Sequence, residues 1–207
     1  MNEDKAVDCV RKCITKLHDS FHNNTGFYLN ESDLQCELYA MLLEFFGDPC
    51  EITKVRFWGT SKEKCSYPII TRRLHSELLL PEGRIDIAVL DPENLSFSMN
   101  SKGCNGSIRI HEGNHIFIEI KASRTNRSSI TSKRTWMKSI TNDIDKLAKY
   151  SYKSFMLCFE IQRILDEEDI EILQKHAQQK VELLYCKSKA GHSYIMGKGE
   201  GFLKVEK

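Results

Sequence analysis

Residues 154–161, SFMLCFEI, are almost continuously apolar. A half-exposed strand alternates apolar and polar residues, so an unbroken run of this kind marks a strand covered on both faces. The chain is thereby limited to a sheet held between two other layers. Its neighbours supply those layers. Val7, Val10, Ile14, Leu17 and Phe21 recur at helical spacing within residues 4–22. After a turn-rich stretch over 22–30, Ser32 and Gln35 form a capping-box pattern. Leu34, Leu38, Met41, Leu42 and Phe45 continue that second helix towards Gly47 and Pro49. Strands are expected over 52–58, 69–80, 84–90, 108–111 and 115–122, with Pro81-Glu82-Gly83 as a hairpin turn. A polar loop is expected over 59–68 and a Gly/Asn/Ser-rich stretch over 91–107. Met137, Ile140, Ile144 and Leu147 give one side of a helix over about 130–151. A further helix over 166–179 precedes short strands at 181–186 and 193–197. The expectation is an α/β fold: one domain over 1–207, with a central mixed sheet flanked by helices on both faces. An N-terminal helical extension occupies 1–30 and an insertion 91–114.

At 41% hydrophobic and 29% charged residues, the 207-residue chain can bury a sizeable core, which excludes disorder. No apolar run has the length of a membrane span, and the opening MNEDKAVDCV lacks a secretory pattern, so a cytoplasmic protein without a membrane partner is expected. The eight cysteines include no Cys-x2-Cys pair, and no disulfide framework is expected. Cys9, Cys13, His18 and His22 lie on opposite faces of one helix and cannot share a metal there. His111 and His115 lack the helical spacing of zinc proteases, and Gly197, Gly199 and Gly201 do not lead from a strand into a helix.

Two strands depart from the apolar pattern. In 115–121, Ile116, Ile118 and Ile120 share a face, leaving Phe117, Glu119 and Lys121 on the other. In 84–90, Ile85, Ile87 and Val89 share a face and leave Asp86 and Ala88 opposite. Burying an unpaired carboxylate costs several kcal/mol as a rough figure, so each such residue needs a cationic partner. Asp86 and Glu119 on adjacent strands can share a hard divalent ion, with Lys121 two residues along the same face. Mg2+ or Mn2+ held by such carboxylates can activate water, neutralise a phosphate and stabilise a leaving oxygen, the three requirements of phosphodiester hydrolysis. A nearby lysine can orient hydroxide and stabilise the developing charge. Glu77, one strand earlier, is an outer candidate whose own partners are expected to be Arg73 and His75.

Asp86 and Glu119-x-Lys121, preceded by Glu37 on an amphipathic helix, resemble the PD-(D/E)xK superfamily of restriction-endonuclease-like nucleases. The likeness follows the order of elements over about residues 31–186. It implies that Asp86 and Glu119 are metal ligands, that Glu37 contacts the metal directly or through water, and that Lys121 positions or activates the attacking water. Ile85 stands where the family often has proline, and the long gap from Asp86 to Glu119 makes 91–114 a family-specific insertion. Lys146, four before Tyr150, departs from the Gln-x3-Tyr of exonuclease-like members. The resemblance implies a Mg2+- or Mn2+-dependent endonuclease acting on DNA; the lack of a separate DNA-reading domain adds the expectation of a homodimer or partner subunit. Its alternatives are a nuclease of the same fold acting on RNA or on DNA ends, and a catalytically silent DNA- or protein-binding module.

Charge distribution points the same way. The chain has a net charge of only +1, yet residues 121–153 hold nine Lys/Arg against two Asp. Arg124, Arg127, Lys133, Arg134 and Lys138, just after the motif strand, are the expected DNA-backbone contacts. Trp136 is assigned to the core in preference to base stacking.

Overall fold

In the computed structural model the chain is described over residues 3–24, 28, 30–52, 54–58, 69–100, 106–123, 132–160, 164–177, 181–188, 195–196 and 202–203. The elements begin with α1 (Glu3–Asn23), α2 (Glu31–Phe46), β1 (Pro49–Ile52), β2 (Lys54–Trp58), β3 (Ile69–Arg72), β4 (Leu74–Leu80) and β5 (Gly83–Val89). They continue with β6 (Leu95–Asn100), β7 (Gly106–Ile110), β8 (Ile116–Ala122), α3 (Lys133–Ala148), β9 (Lys153–Glu160), α4 (Glu167–Ala177) and β10 (Val181–Lys187). A short pair, β11 (Ile195–Met196) and β12 (Phe202–Leu203), comes last. The expected loop over 59–68 and the glycines at 197, 199 and 201 lie outside the described residues.

Five strands form the main sheet in the order β10-β9-β8-β5-β4. β10, β9 and β8 run parallel, while β5 and β4 are antiparallel to their neighbours, so the sheet is mixed. The apolar run becomes β9, buried from Ser154 to Glu160 because both faces are covered. On one side Val10, Leu17 and Phe21 of α1 and Leu34, Leu38 and Leu42 of α2 pack on Ile87, Ile118, Ile120 and Leu157. On the other, Trp136, Ile140, Ile144 and Leu147 of α3 and Leu173 of α4 pack on Phe117, Met156 and Cys158. Trp136 is indeed core, its indole N–H donating to Tyr185 Oη at 2.9 Å. The apolar stripe of the N-terminal helix completes one of the two layers.

Several local expectations change. The box at the start of α2 is formed by Asn30 and Asp33, whose side chains each accept from the other's backbone N–H at 3.1 Å. Asn30 is extended, so it caps the helix two residues before Ser32 can. The strand expected over 69–80 breaks at Arg73: β3 pairs with β1 as a separate ribbon, and β4 joins the main sheet. The stretch expected to be irregular over 91–107 contains β6, which pairs with β2 and with β7, and β7 covers most of the strand expected over 108–111. Buried His115 ties this second sheet to the first. Its Nδ1 accepts the Asp91 N–H at 3.0 Å, which leaves Nε2 to donate to the His111 carbonyl at 2.9 Å. Burial lowers the His115 pKa and keeps this tautomer neutral.

The turn after β4 is as expected. Leu80 pairs with Gly83, and Gly83 has φ 126, where a side chain is strained. Asn30→Ala is expected to lower stability by about 1 kcal/mol, whereas Ser32→Ala stays within about 0.5 kcal/mol. Urea unfolding of both variants checks which residue caps α2.

Candidate active site at a fork between two strands

β5 and β8 pair only over Ile87–Val89 and Ile116–Ile118. One step further the same register sets Asp86 opposite Glu119, and there the ladder stops. Asp86 Oδ2 accepts the Ile120 N–H at 2.8 Å, replacing a backbone partner with a carboxylate. The Asp86 carbonyl in turn accepts from Gln35 Nε2 of α2 at 3.0 Å. Both orphaned backbone groups at the fork are thus satisfied by side chains. The interruption also alters the pleat. Ile87 and Val89 pack on the α1/α2 side, but Ile85 packs on the α3/α4 side, contrary to the alternation expected for 84–90. Across the hairpin Glu77 stands opposite Asp86 with φ 55, a left-handed conformation uncommon outside glycine. Its carboxylate meets Arg84 and accepts from Gln35 Nε2 at 2.9 Å, in place of the expected Arg73 and His75.

Asp86 is 9% exposed and Glu119 1% exposed. Lys121 faces the same cleft, with Nζ 3.7 Å from Glu31 Oε1 and 3.2 Å from Asp143 Oδ2. Asp86 feels the charges of both Glu119 and Lys121, so the expected trio shares one electrostatic cluster. Glu37 does not join it. Its Oε2 accepts from the Tyr28 hydroxyl at 2.7 Å, in a chain that continues to Ser20. Glu31 takes that place from the first turn of the same helix, its Oε2 lying 3.4 Å from the Ala122 nitrogen. The reason is helical phase: Glu31 extends the buried Leu34–Leu38–Leu42 stripe back by one turn, and Glu37 lies about two thirds of a turn around from Glu31. An acidic residue at a stripe position was the overlooked signal.

Two residues of α3 complete the cluster. Lys146 Nζ lies 2.8 Å from Glu119 Oε1 and 3.2 Å from Asp143 Oδ1, and it donates to the Arg84 carbonyl at 2.8 Å. The Lys146 ammonium is thus the near cationic partner of the buried Glu119 carboxylate. With Glu77 matched by Arg84, four carboxylates (Glu31, Asp86, Glu119, Asp143) face two ammonium groups (Lys121, Lys146). The pKa directions register this excess. Burial, then the Asp86 charge, push Glu119 from an ordinary 4.5 up to about 8 against the pull of Lys146. Burial raises Asp86 and Glu31 as well, with the Ile120 N–H and Lys121, respectively, as the chief opposing influences. Burial pulls Lys121 and Lys146 down, but their acidic neighbours outweigh it and both are raised.

Among the described residues no three His, Cys, Asp or Glu side chains form a ready metal cage. A Mg2+ ion, however, takes one or two protein carboxylates and completes its shell with water. Hard oxygen donors, two of them buried, in a cluster with more carboxylates than ammonium groups fit such an ion at Asp86 and Glu119.

The basic segment is less free than its composition suggests. Lys121 and Lys146 are held within the cluster, Lys149 by Glu82 and Lys153 by Glu182. Lys133 pairs with Asp166 at 3.1 Å and Asp169 at 2.7 Å, so it is already committed within the fold. Arg134 and Lys138 are exposed on α3, while Arg124 and Arg127 lie outside the described residues. The cysteines at 9, 13, 36, 50, 158 and 186 are free thiols. No described helix is long and apolar enough to cross a membrane.

Comparison of the chain with protein-family models, curated proteins and solved structures finds no match.

A raised carboxylate pKa means that the folded chain retains a proton the unfolded chain has released. Without divalent ions, the Glu119 contribution to stability therefore falls as pH rises from about 4.5 to about 8, by roughly 1.4 kcal/mol per pH unit, and levels off above. Glu31 and Asp86 act with the same sign. Denaturation of the chelator-treated protein across this window should show the decline, and Glu119→Gln should flatten it.

Proposed function

We propose that the chain is a metal-dependent deoxyribonuclease of restriction-endonuclease-like fold, cutting DNA phosphodiester bonds internally. The observation that carries the reading is the pair of buried carboxylates, Asp86 and Glu119, set side by side where two strands part, with Lys121 facing the same cleft. The order helix, hairpin, motif strand, helix, strand supports the fold assignment. Asp86 and Glu119 would hold Mg2+ or Mn2+. Such an ion supplies charge neutralisation and an activated water.

The chain's own residues do the remainder. Ile120 N–H fixes the Asp86 carboxylate, so one site oxygen is oriented before substrate arrives. Glu31 and Asp143 keep Lys121 charged at the cleft, where its ammonium can orient water and stabilise charge on the phosphate. Glu31, rather than Glu37, is the α2 carboxylate of this site. Arg134 and Lys138, together with Arg124 and Arg127, would take the DNA backbone, and a homodimer or partner subunit would extend that surface.

A second reading draws on Lys146, whose ammonium already stands against Glu119. On that reading the lysine replaces the metal and the chain is a catalytically silent binding module.

Incubation with supercoiled plasmid, linear duplex, single-stranded DNA and RNA in Mg2+ or Mn2+ separates the two. The nuclease is expected to nick or linearise plasmid, and Asp86→Ala to abolish this while leaving DNA affinity similar or slightly higher. Cleavage confined to RNA or to ends would redirect the substrate assignment; no cleavage in either metal would favour the silent module. Glu31→Gln should lower the rate by about 10–100-fold, as loss of a supporting partner does at metal sites. Glu37→Gln should leave it nearly unchanged.

Neutralising Arg124, Arg127, Arg134 and Lys138 together should weaken DNA binding and flatten its salt dependence by about 0.9 of an ion per lost phosphate contact. Lys133→Ala should change that slope little. Fluorescence anisotropy over a salt series checks both.

A further inference from the structure

Lys146 enters the site from α3 and is held there at two points. Its ammonium donates to the Arg84 carbonyl at 2.8 Å. It also stands 2.8 Å from Glu119 Oε1 and 3.2 Å from Asp143 Oδ1. Its stem passes Gly83, where even an added Cβ would touch Lys146 Cδ at 3.5 Å. The lysine is thus packed and anchored at the hairpin turn while its ammonium engages Glu119. Lys121 differs: its partners are Glu31 and Asp143.

We propose that Lys146 is the resident counter-ion of Glu119, which a divalent cation displaces, so that this lysine sets how tightly the site takes its metal. The inference rests on the metal-site reading of Asp86 and Glu119. Glu119 is 1% exposed, and a bare carboxylate there would stand beside the Asp86 charge without solvent to screen it. An ammonium group answers that need when no ion is bound. A doubly charged cation interacts twice as strongly with the same oxygen at the same distance. Lys146 keeps its other partners, the Arg84 carbonyl and Asp143, through the exchange. Two ammonium groups against four carboxylates leave room for a divalent cation within the cluster's charge.

The test is calorimetric titration of Mn2+ into the chelator-stripped full chain, for wild type, Lys146→Met, Lys146→Gln and Lys121→Met. Methionine keeps the packed stem, and glutamine keeps a donor for the Arg84 carbonyl, so at least one neutral variant should retain the fold, checked by thermal denaturation in chelator. Both Lys146 variants are expected to bind Mn2+ about tenfold more tightly, a change of ~1.4 kcal/mol. Lys121→Met should shift affinity by less than about threefold, since its charge is lost without freeing Glu119. Equal or weaker binding by the Lys146 variants overturns the proposal. Equal tightening by Lys121→Met also overturns it, because general electrostatics would then suffice. Should no form bind Mn2+, wild type included, the metal-site reading itself falls and takes the proposal with it. Wild-type binding unaltered in both Lys146 variants would sink only the proposal.

Discussion

The site depends on a single substitution of partners: the Asp86 carboxylate takes the Ile120 N–H that the β5–β8 ladder leaves unmatched. An interrupted ladder inside a protein leaves backbone groups that water cannot reach, and each costs about 1–3 kcal/mol if unsatisfied. Here Asp86 and Gln35 satisfy them, so the strands can part without that loss. Parting the strands places two acidic side chains next to each other under a helix that brings Lys146. The left-handed backbone at Glu77 belongs to the same distortion, since that residue lies opposite Asp86.

The fork concentrates charge that a core would exclude. Asp86 and Glu119 are more buried than ion pairs on a surface, and removing one partner from such a group leaves an uncompensated charge. Lys121 therefore has a structural function alongside its proposed chemical one. It joins Glu31 of α2 to Asp143 of α3 and so links the helices that cover opposite faces of the sheet. Of the seven described basic residues in 121–153, Lys121, Lys133, Lys146, Lys149 and Lys153 form ion pairs within the fold. A local excess of positive residues is consequently a poor measure of the charge left for a polyanion.

Much of the layer structure was legible in the sequence. Apolar residues at period 3.6 along α1, α2 and α3, and the unbroken run of β9, follow directly from which faces must be dry. The charged positions in β5 and β8 stood out for the same reason, because alternation makes an inward carboxylate visible. Helical phase was less legible. Ser32–Gln35 and Asn30–Asp33 both satisfy a capping pattern, and only the extended backbone at Asn30 chooses between them. That choice goes with a site in which Glu31 and Gln35 face the fork while Glu37 faces Tyr28.

The sequence by itself determined the two helical layers, the buried central strand and the inward-facing charges of Asp86, Glu119 and Lys121, because each is a local pattern of period and polarity. Only the tertiary structure decided where β5 leaves β8, which α2 carboxylate joins the site and that Lys146 stands against Glu119. Those are contacts between residues 27 to 91 positions apart in the chain. They arise from how strands splay and helices pack over them, which no local period encodes.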